Sequence, residues 1–164
     1  MRVPGRPGRG RRPDRFGAQA AGDLEIADAV SFLRGDWRIE RQVTDFAAGA
    51  SGTFTGTGRF TDRGAAELAY HEDGELRFRD HRGPASRSLA YRGQPDGTAE
   101  VYFADGRPFY HLDPRPGRWS AEHPCGADHY VLAGRVLAAD AFEEHWRVRG
   151  ASKDYEISTR LVRA

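Results

Sequence analysis

The sequence predicts an all-β fold: an antiparallel up-and-down β-barrel of about nine or ten short strands with one N-terminal helix. Three observations carry this. From Trp37 onward apolar and polar residues alternate with a period of two, as on half-buried strands. Turn residues recur between the alternating runs, as at Pro95-Asp-Gly97 and Asp105-Gly106. The connections are mostly short, which favours a meander, and closing a meander removes its exposed edges. The 164 residues suffice for one domain with a real core.

The helix is expected over Asp23–Arg34, where Leu24, Ala27, Val30 and the pair Phe32-Leu33 recur at near-helical spacing. Asp23 would cap it and Gly35 would stop it. In the first strand Trp37, Ile39 and Val43 alternate with Arg38, Glu40 and Gln42. In Ser51–Phe60, Phe54 and Phe60 share a parity with Gly52, Gly56 and Gly58. Glycines along one strand face imply sharp coiling or close backbone approach. Asp73-Gly74 reads as a hairpin turn between Leu68-Ala-Tyr70 and Leu76-Arg-Phe78. Further strands are expected at Ser88–Arg92, Thr98–Phe103, His129–Leu137, Phe142–Arg149 and Lys153–Val162.

Residues 1–22 stand apart from this pattern. They hold six arginines against one acid, so the rest of the chain is net acidic although the whole carries +1. This Arg/Pro/Gly-rich stretch is too poor in apolar residues to offset its ordering entropy and is expected to be a disordered tail, dispensable for folding. Residues 23–164 are expected to form the single barrel domain. Confinement of the basic charge to the tail argues against nucleic acid as a partner. No run approaches the roughly 20 apolar residues of a membrane helix, so no membrane partner is expected. One cysteine excludes an intramolecular disulfide, which fits a cytoplasmic protein.

Gly35-Asp-Trp37, following a short helix and opening the first strand, resembles the start of the lipocalin-like (calycin) barrels. The resemblance implies that Trp37 plugs the barrel floor and that Arg160 or Arg163 packs across it. More specifically, Phe32-Leu-Arg-Gly-Asp-Trp37, Tyr70-His-Glu72, Asp105-Gly-Arg-Pro-Phe109, His123-Pro-Cys-Gly-Ala-Asp-His-Tyr130 and Gly150-Ala-Ser-Lys-Asp-Tyr155 resemble an uncharacterised bacterial and fungal domain family (domain of unknown function 6314). The resemblance covers roughly residues 28–163 and implies a fold but no reaction or cofactor. One departure from the family pattern is Phe109-Tyr110-His111, where Phe-His is usual.

Two segments concentrate the chemistry. Side chains two apart on a strand share a face, so His123 and Cys125 point one way, and Asp128 and Tyr130 share a face with apolar Leu132 and Val136. The four would converge at one end of the barrel. Imidazole, thiolate and carboxylate all ligate zinc, but this spacing lacks the paired Cys-x-x-Cys of structural sites, and no metal is expected. Cys125 with His123 or His129 as base would make a nucleophile, yet nothing in the sequence lowers the thiol pKa. A satisfied network of buried polar groups is the favoured reading. Arg107 serves a turn or clamps an anion, and His111 and Asp113 sit two apart beside it. Lys153, the only lysine, raises a Schiff-base reading that would need a depressed pKa. His129 and His145 have outward parity, which argues against an axial haem ligand.

The expected function is therefore small-molecule binding, the ligand amphiphilic or anionic. Phe54, Phe60, Trp146 and Ile157 would hold its body, with Arg107, His111, His123, Cys125, Asp128, Tyr130 and Tyr155 around its polar end. The alternatives are an enzyme using His123, Asp128 or Tyr130 in general acid/base chemistry, and a filled barrel acting as an interaction domain.

Overall fold

Alternation of apolar and polar side chains resolves into ten strands after one helical turn. The structure is a computed structural model that describes residues 23–164; the tail expected over residues 1–22 lies outside them. The elements are α1 (Ala29–Leu33), β1 (Gly35–Asp45), β2 (Ala50–Asp62), β3 (Glu67–Phe78), β4 (His81–Gly93) and β5 (Ala99–Phe103), followed by β6 (Pro108–Leu112), β7 (Arg118–Cys125), β8 (Asp128–Ala138), β9 (Ala141–Arg149) and β10 (Asp154–Arg163). All belong to one antiparallel sheet in the order β6-β5-β4-β3-β2-β1-β10-β9-β8-β7. Pairing of β1 with β10 joins the two ends of the meander, from Trp37 opposite Arg163 to Asp45 opposite Tyr155. The barrel is thus nearly closed, and its seam falls in mid-chain between β6 and β7. Side chains rather than a backbone ladder bridge that seam: Phe109 of β6 packs edge-on against His123 of β7 with ring centroids 5.3 Å apart, and stacks on Trp146 of β9 at 5.2 Å.

Two expectations require correction. The helix is one short turn, Ala29–Leu33, capped by Asp28, whose carboxylate accepts from Ser31 N–H at 2.7 Å. Asp23 instead pairs with Arg118, and Ile26 N–H donates to the Arg115 carbonyl. A helix of about 12 residues is marginal alone, and barrel loops offer the segment's backbone other partners. The second correction concerns Asp73-Gly74, which lies inside the uninterrupted strand β3. The turn sits at Arg79-Asp80 instead, with Arg79 at φ 56°. Gly74 stands opposite Gly56 on β2, where a Cβ would come within 2.2 Å of the Asp73 carbonyl. Close approach of β2 and β3, not a turn, explains the glycine; the inward glycines of β2 serve the same purpose.

Apolar side chains fill the end of the barrel nearest α1. Trp37, fully buried, donates its indole N–H to the Leu33 carbonyl at 2.7 Å. The Arg163 guanidinium lies 4.2 Å from the Trp37 ring and donates to the Phe32 and Arg34 carbonyls at 2.7 and 2.8 Å. Of the two arginines that the resemblance left open, Arg163 is the one that crosses the floor. Its bonds satisfy carbonyls at the end of α1 that have no partner within so short a helix.

Candidate functional site

Above the apolar floor, four charged side chains point into the barrel. Arg41 of β1 has the same parity as Trp37 and Ile39; Glu72 follows Leu68 and Tyr70 on β3; Arg87 precedes Leu89 and Tyr91 on β4; Glu144 lies between Phe142 and Trp146 on β9. Arg41 donates from Nη1 and Nη2 to both oxygens of Glu72, at 2.7 and 2.9 Å, and from Nε to Thr159 at 2.9 Å. Reaching β3 from β1 requires crossing β2, and the inward positions there are Gly56 and Gly58. At Gly58 a Cβ would come within 3.0 Å of both Tyr70 and Ile39.

The Tyr70 hydroxyl donates to Glu72 at 2.6 Å, and Arg87, opposite Glu72 in the strand register, adds a longer contact at 3.3 Å. Burial pushes the Glu72 carboxyl up, but the bonds from Arg41, the charges of Arg87 and Arg41, and the Tyr70 hydroxyl override it and hold the group at about 2. Burial raises the pKa of Tyr70, Tyr91 and Tyr110 well above the ordinary phenol value, so these three stay neutral. Glu144 differs from Glu72. Its one hydrogen bond among the described residues comes from the Tyr110 hydroxyl at 3.3 Å, and no cation pairs with it. Burial raises its pKa, only partly opposed by the charge of Arg87 and the Tyr110 bond.

This girdle divides the interior. On the floor side it borders an enclosed cavity of about 20 Å³, room for about one water. The indole N–H of Trp119 is buried at that cavity and makes no hydrogen bond among the described residues. On the other side the barrel is open. The inward residues Val43, Leu76, Ala85, Phe103, Tyr130 and Ile157 are each only part-buried, and Arg87, deep among them, keeps 46% of its side-chain exposure. An inward side chain so exposed lines a solvent-filled cup.

The predicted residues are distributed around this cup. His123, Tyr130, Trp146 and Tyr155 line its upper wall. The His123 ring packs edge-on against Phe103, Phe109 and Tyr130, at centroid distances of 5.6, 5.3 and 5.8 Å. Asp128 stands on the rim and pairs with Lys153 at 2.7 Å, while Lys153 also donates to the Tyr130 hydroxyl at 3.1 Å. Those bonds raise the Lys153 pKa, opposite to what a Schiff-base lysine needs. Tyr155 is pushed up to about 12 by burial and its contact with Tyr130.

Cys125 is exposed at the turn. Arg107 is exposed, bonded to Asp105 in its own turn at 2.7 Å, with its guanidinium 5.4 Å from the Phe103 ring. His111 points outward, to Glu100 at 2.6 Å. The extra residue in Phe109-Tyr110-His111 coincides with a β-bulge between β5 and β6, which puts both Phe109 and Tyr110 on the cup side. His129 and His145 face outward, bonded to Glu122 and Ser158. Among the described residues no group of three His, Cys, Asp or Glu side chains is placed to hold a metal, and no helix is long and apolar enough to cross a membrane.

Sequence reasoning missed the girdle, although the signal was present. Arg41, Arg87 and Glu144 are charged residues at the apolar parity of alternating strands, and Glu72 was hidden by the expected hairpin at Asp73-Gly74.

The S-type phycobiliprotein lyase CPES from Guillardia theta is similar at TM-score 0.60 with 9% identity, over 86% of this chain and 93% of that one. Rv2717c from M. tuberculosis aligns at TM-score 0.48 and 14% identity, over 83% and 95% of the two chains. A redesigned β-barrel, mFAP1, bound to DFHBI, aligns at TM-score 0.45 and 17% identity, over 82% and 98%. No curated protein matches the sequence. A family model does match, over residues 33–163, which span the barrel from the last residue of α1 to the last of β10; the chain belongs to the family of unknown function DUF6314.

Proposed function

We propose that the protein binds a small amphiphilic molecule in the open half of the barrel, with the anionic end of the ligand on Arg87. The observation that carries this reading is the exposure of Arg87 inside the barrel. Its partner Glu72 is already engaged by both nitrogens of Arg41, so the Arg87 guanidinium keeps donors directed at the cup. The walls above it are aromatic and aliphatic, from Phe54 and Ile157 to Phe103, Phe109 and Trp146. A concave, mostly apolar site with a few fixed polar groups is the usual form of a small-molecule site. The fold is shared with a phycobiliprotein lyase, which is compatible with a barrel that handles a small molecule.

Native mass spectrometry of the protein from its own host, beside a denatured control, tests the reading directly. A mass excess lost on denaturation is the expected result. A bare mass, together with no binding of the anionic fluorophore 1-anilinonaphthalene-8-sulfonate, would overturn it. Where the fluorophore binds, Arg87→Met is expected to weaken it about tenfold or more, the loss of one charge-assisted contact.

A further inference from the structure

Trp119 and Glu144 stand in one line across three strands. Trp119 of β7 is opposite Gly134 of β8, and Gly134 is opposite Glu144 of β9. The indole lies over Gly134, where a Cβ would overlap the ring and its nitrogen. Without a side chain there, the ring can cross β8 toward Glu144, as the glycines of β2 let Arg41 cross to Glu72. Arg41 ends its crossing in two short bonds. Trp119 does not. Its indole comes near enough to Glu144 to lower that pKa, yet its N–H has no hydrogen-bond partner among the described residues.

An indole N–H can only donate, and leaving it buried and unpaired is costly. Trp119 is only 8% exposed, and its nitrogen is buried. The ring borders the enclosed cavity of about 20 Å³, together with Glu144, Thr159, Tyr91 and Arg87. That volume fixes the size of the occupant, and the wall fixes its chemistry. Glu144 receives one bond, from Tyr110 at 3.3 Å, so its oxygens keep acceptor capacity. Thr159 accepts from Arg41 Nε and has its own proton to donate. A halide ion would use the donors alone, with the carboxyl group beside them opposing it. Water both accepts and donates, and it suits Glu144 in either protonation state.

We propose that this cavity is a binding site for a single ordered water, which accepts from the Trp119 indole N–H and joins it to the Glu144 carboxyl group. The bridge extends the girdle to β7. That strand is the last of the sheet and has a ladder only to β8, so the water ties it to β9 from within. The site lies on the floor side of the girdle and does not depend on what the cup binds.

A crystal structure of the unmodified protein without ligand, from data sharp enough to place waters, tests the bridge. One solvent peak is expected about 2.7–3.2 Å from both Trp119 Nε1 and a Glu144 oxygen. Trp119→Phe keeps an aromatic ring and removes the donor, and the peak is expected to be lost. Glu144→Leu gives the same comparison with the indole intact. Crystals soaked in sodium bromide are expected to show no anomalous signal at the site. A direct Trp119–Glu144 bond, a cavity without density, or a peak that survives both substitutions overturns the inference. Bromide at that position overturns it in favour of an anion site. The cup reading stands or falls separately, on Arg87.

Discussion

Arg41 and Glu72 meet inside the barrel as a two-point ion pair, at 2.7 and 2.9 Å, although they belong to strands separated by β2. The Glu72 side chain is 3% exposed and that of Arg41 14%. Removal of Arg41 alone leaves a buried carboxylate with the Tyr70 hydroxyl and, as its one cation, the longer Arg87 contact. Arg41→Met is expected to destabilise the fold by about 3–5 kcal/mol, whereas Arg41→Met with Glu72→Leu recovers most of that loss. Urea denaturation of the two single variants and the double variant measures the coupling. Additive effects would contradict the pairing.

The same carboxyl predicts acid sensitivity. Glu72 is held at about 2 against an ordinary value of 4.5, so its contribution to stability is fully present above about pH 4.5. It is lost as pH falls toward 2, an effect of about 3 kcal/mol. Glu144 acts with the opposite sign: its raised pKa means the folded state holds a proton that the unfolded chain releases, so its contribution weakens as pH rises. Denaturation midpoints across pH are expected to lose much of their acid slope in Glu72→Gln and, as pH rises above about 4.5, to drop less in Glu144→Gln.

The floor depends on Arg163. Arg163→Met removes two bonds to the Phe32 and Arg34 carbonyls and the contact with the Trp37 ring. A loss of about 1–3 kcal/mol is expected. Tryptophan emission should shift to the red as water reaches Trp37, and Arg160→Met, on the exposed face, should do neither.

Lys153 is expected to be a poor nucleophile near neutral pH, because Asp128 and Tyr130 favour its ammonium form. Borohydride trapping with a small aldehyde should label it slowly at pH 7, and faster in Asp128→Asn. Equal labelling of both proteins would show that the pair does not control its protonation.

Much of the barrel is legible in the residue order. The alternation from Trp37 onward, the turns at Pro95-Asp-Gly97 and Asp105-Gly106, and the last three strands all stand close to where the periodicity places them. Local pattern misled where long-range contacts prevail. Asp73-Gly74 has the residues of a tight turn, yet the close approach of Gly56 carries the strand straight through. Leu24 and Ala27 have helical spacing, yet the loops after β4 and β6 take backbone bonds of that segment, at Gly97 and Arg115.

The upper wall of the cup was legible in part, because parity alone puts Asp128 and Tyr130 with the inward Leu132. Parity also carried Arg41, Arg87 and Glu144 inward, but their partners lie 31, 15 and 34 positions away, and no spacing within one strand announces such a pair. The sequence by itself determined the strand periodicity and most of the turns, since these follow from side-chain parity and local backbone preference, while the tryptophan floor was implied by the resemblance at Gly35-Asp-Trp37. Only the tertiary structure decided the seam, the girdle and the charge the cup presents, because each depends on which distant side chains share the same desolvated space.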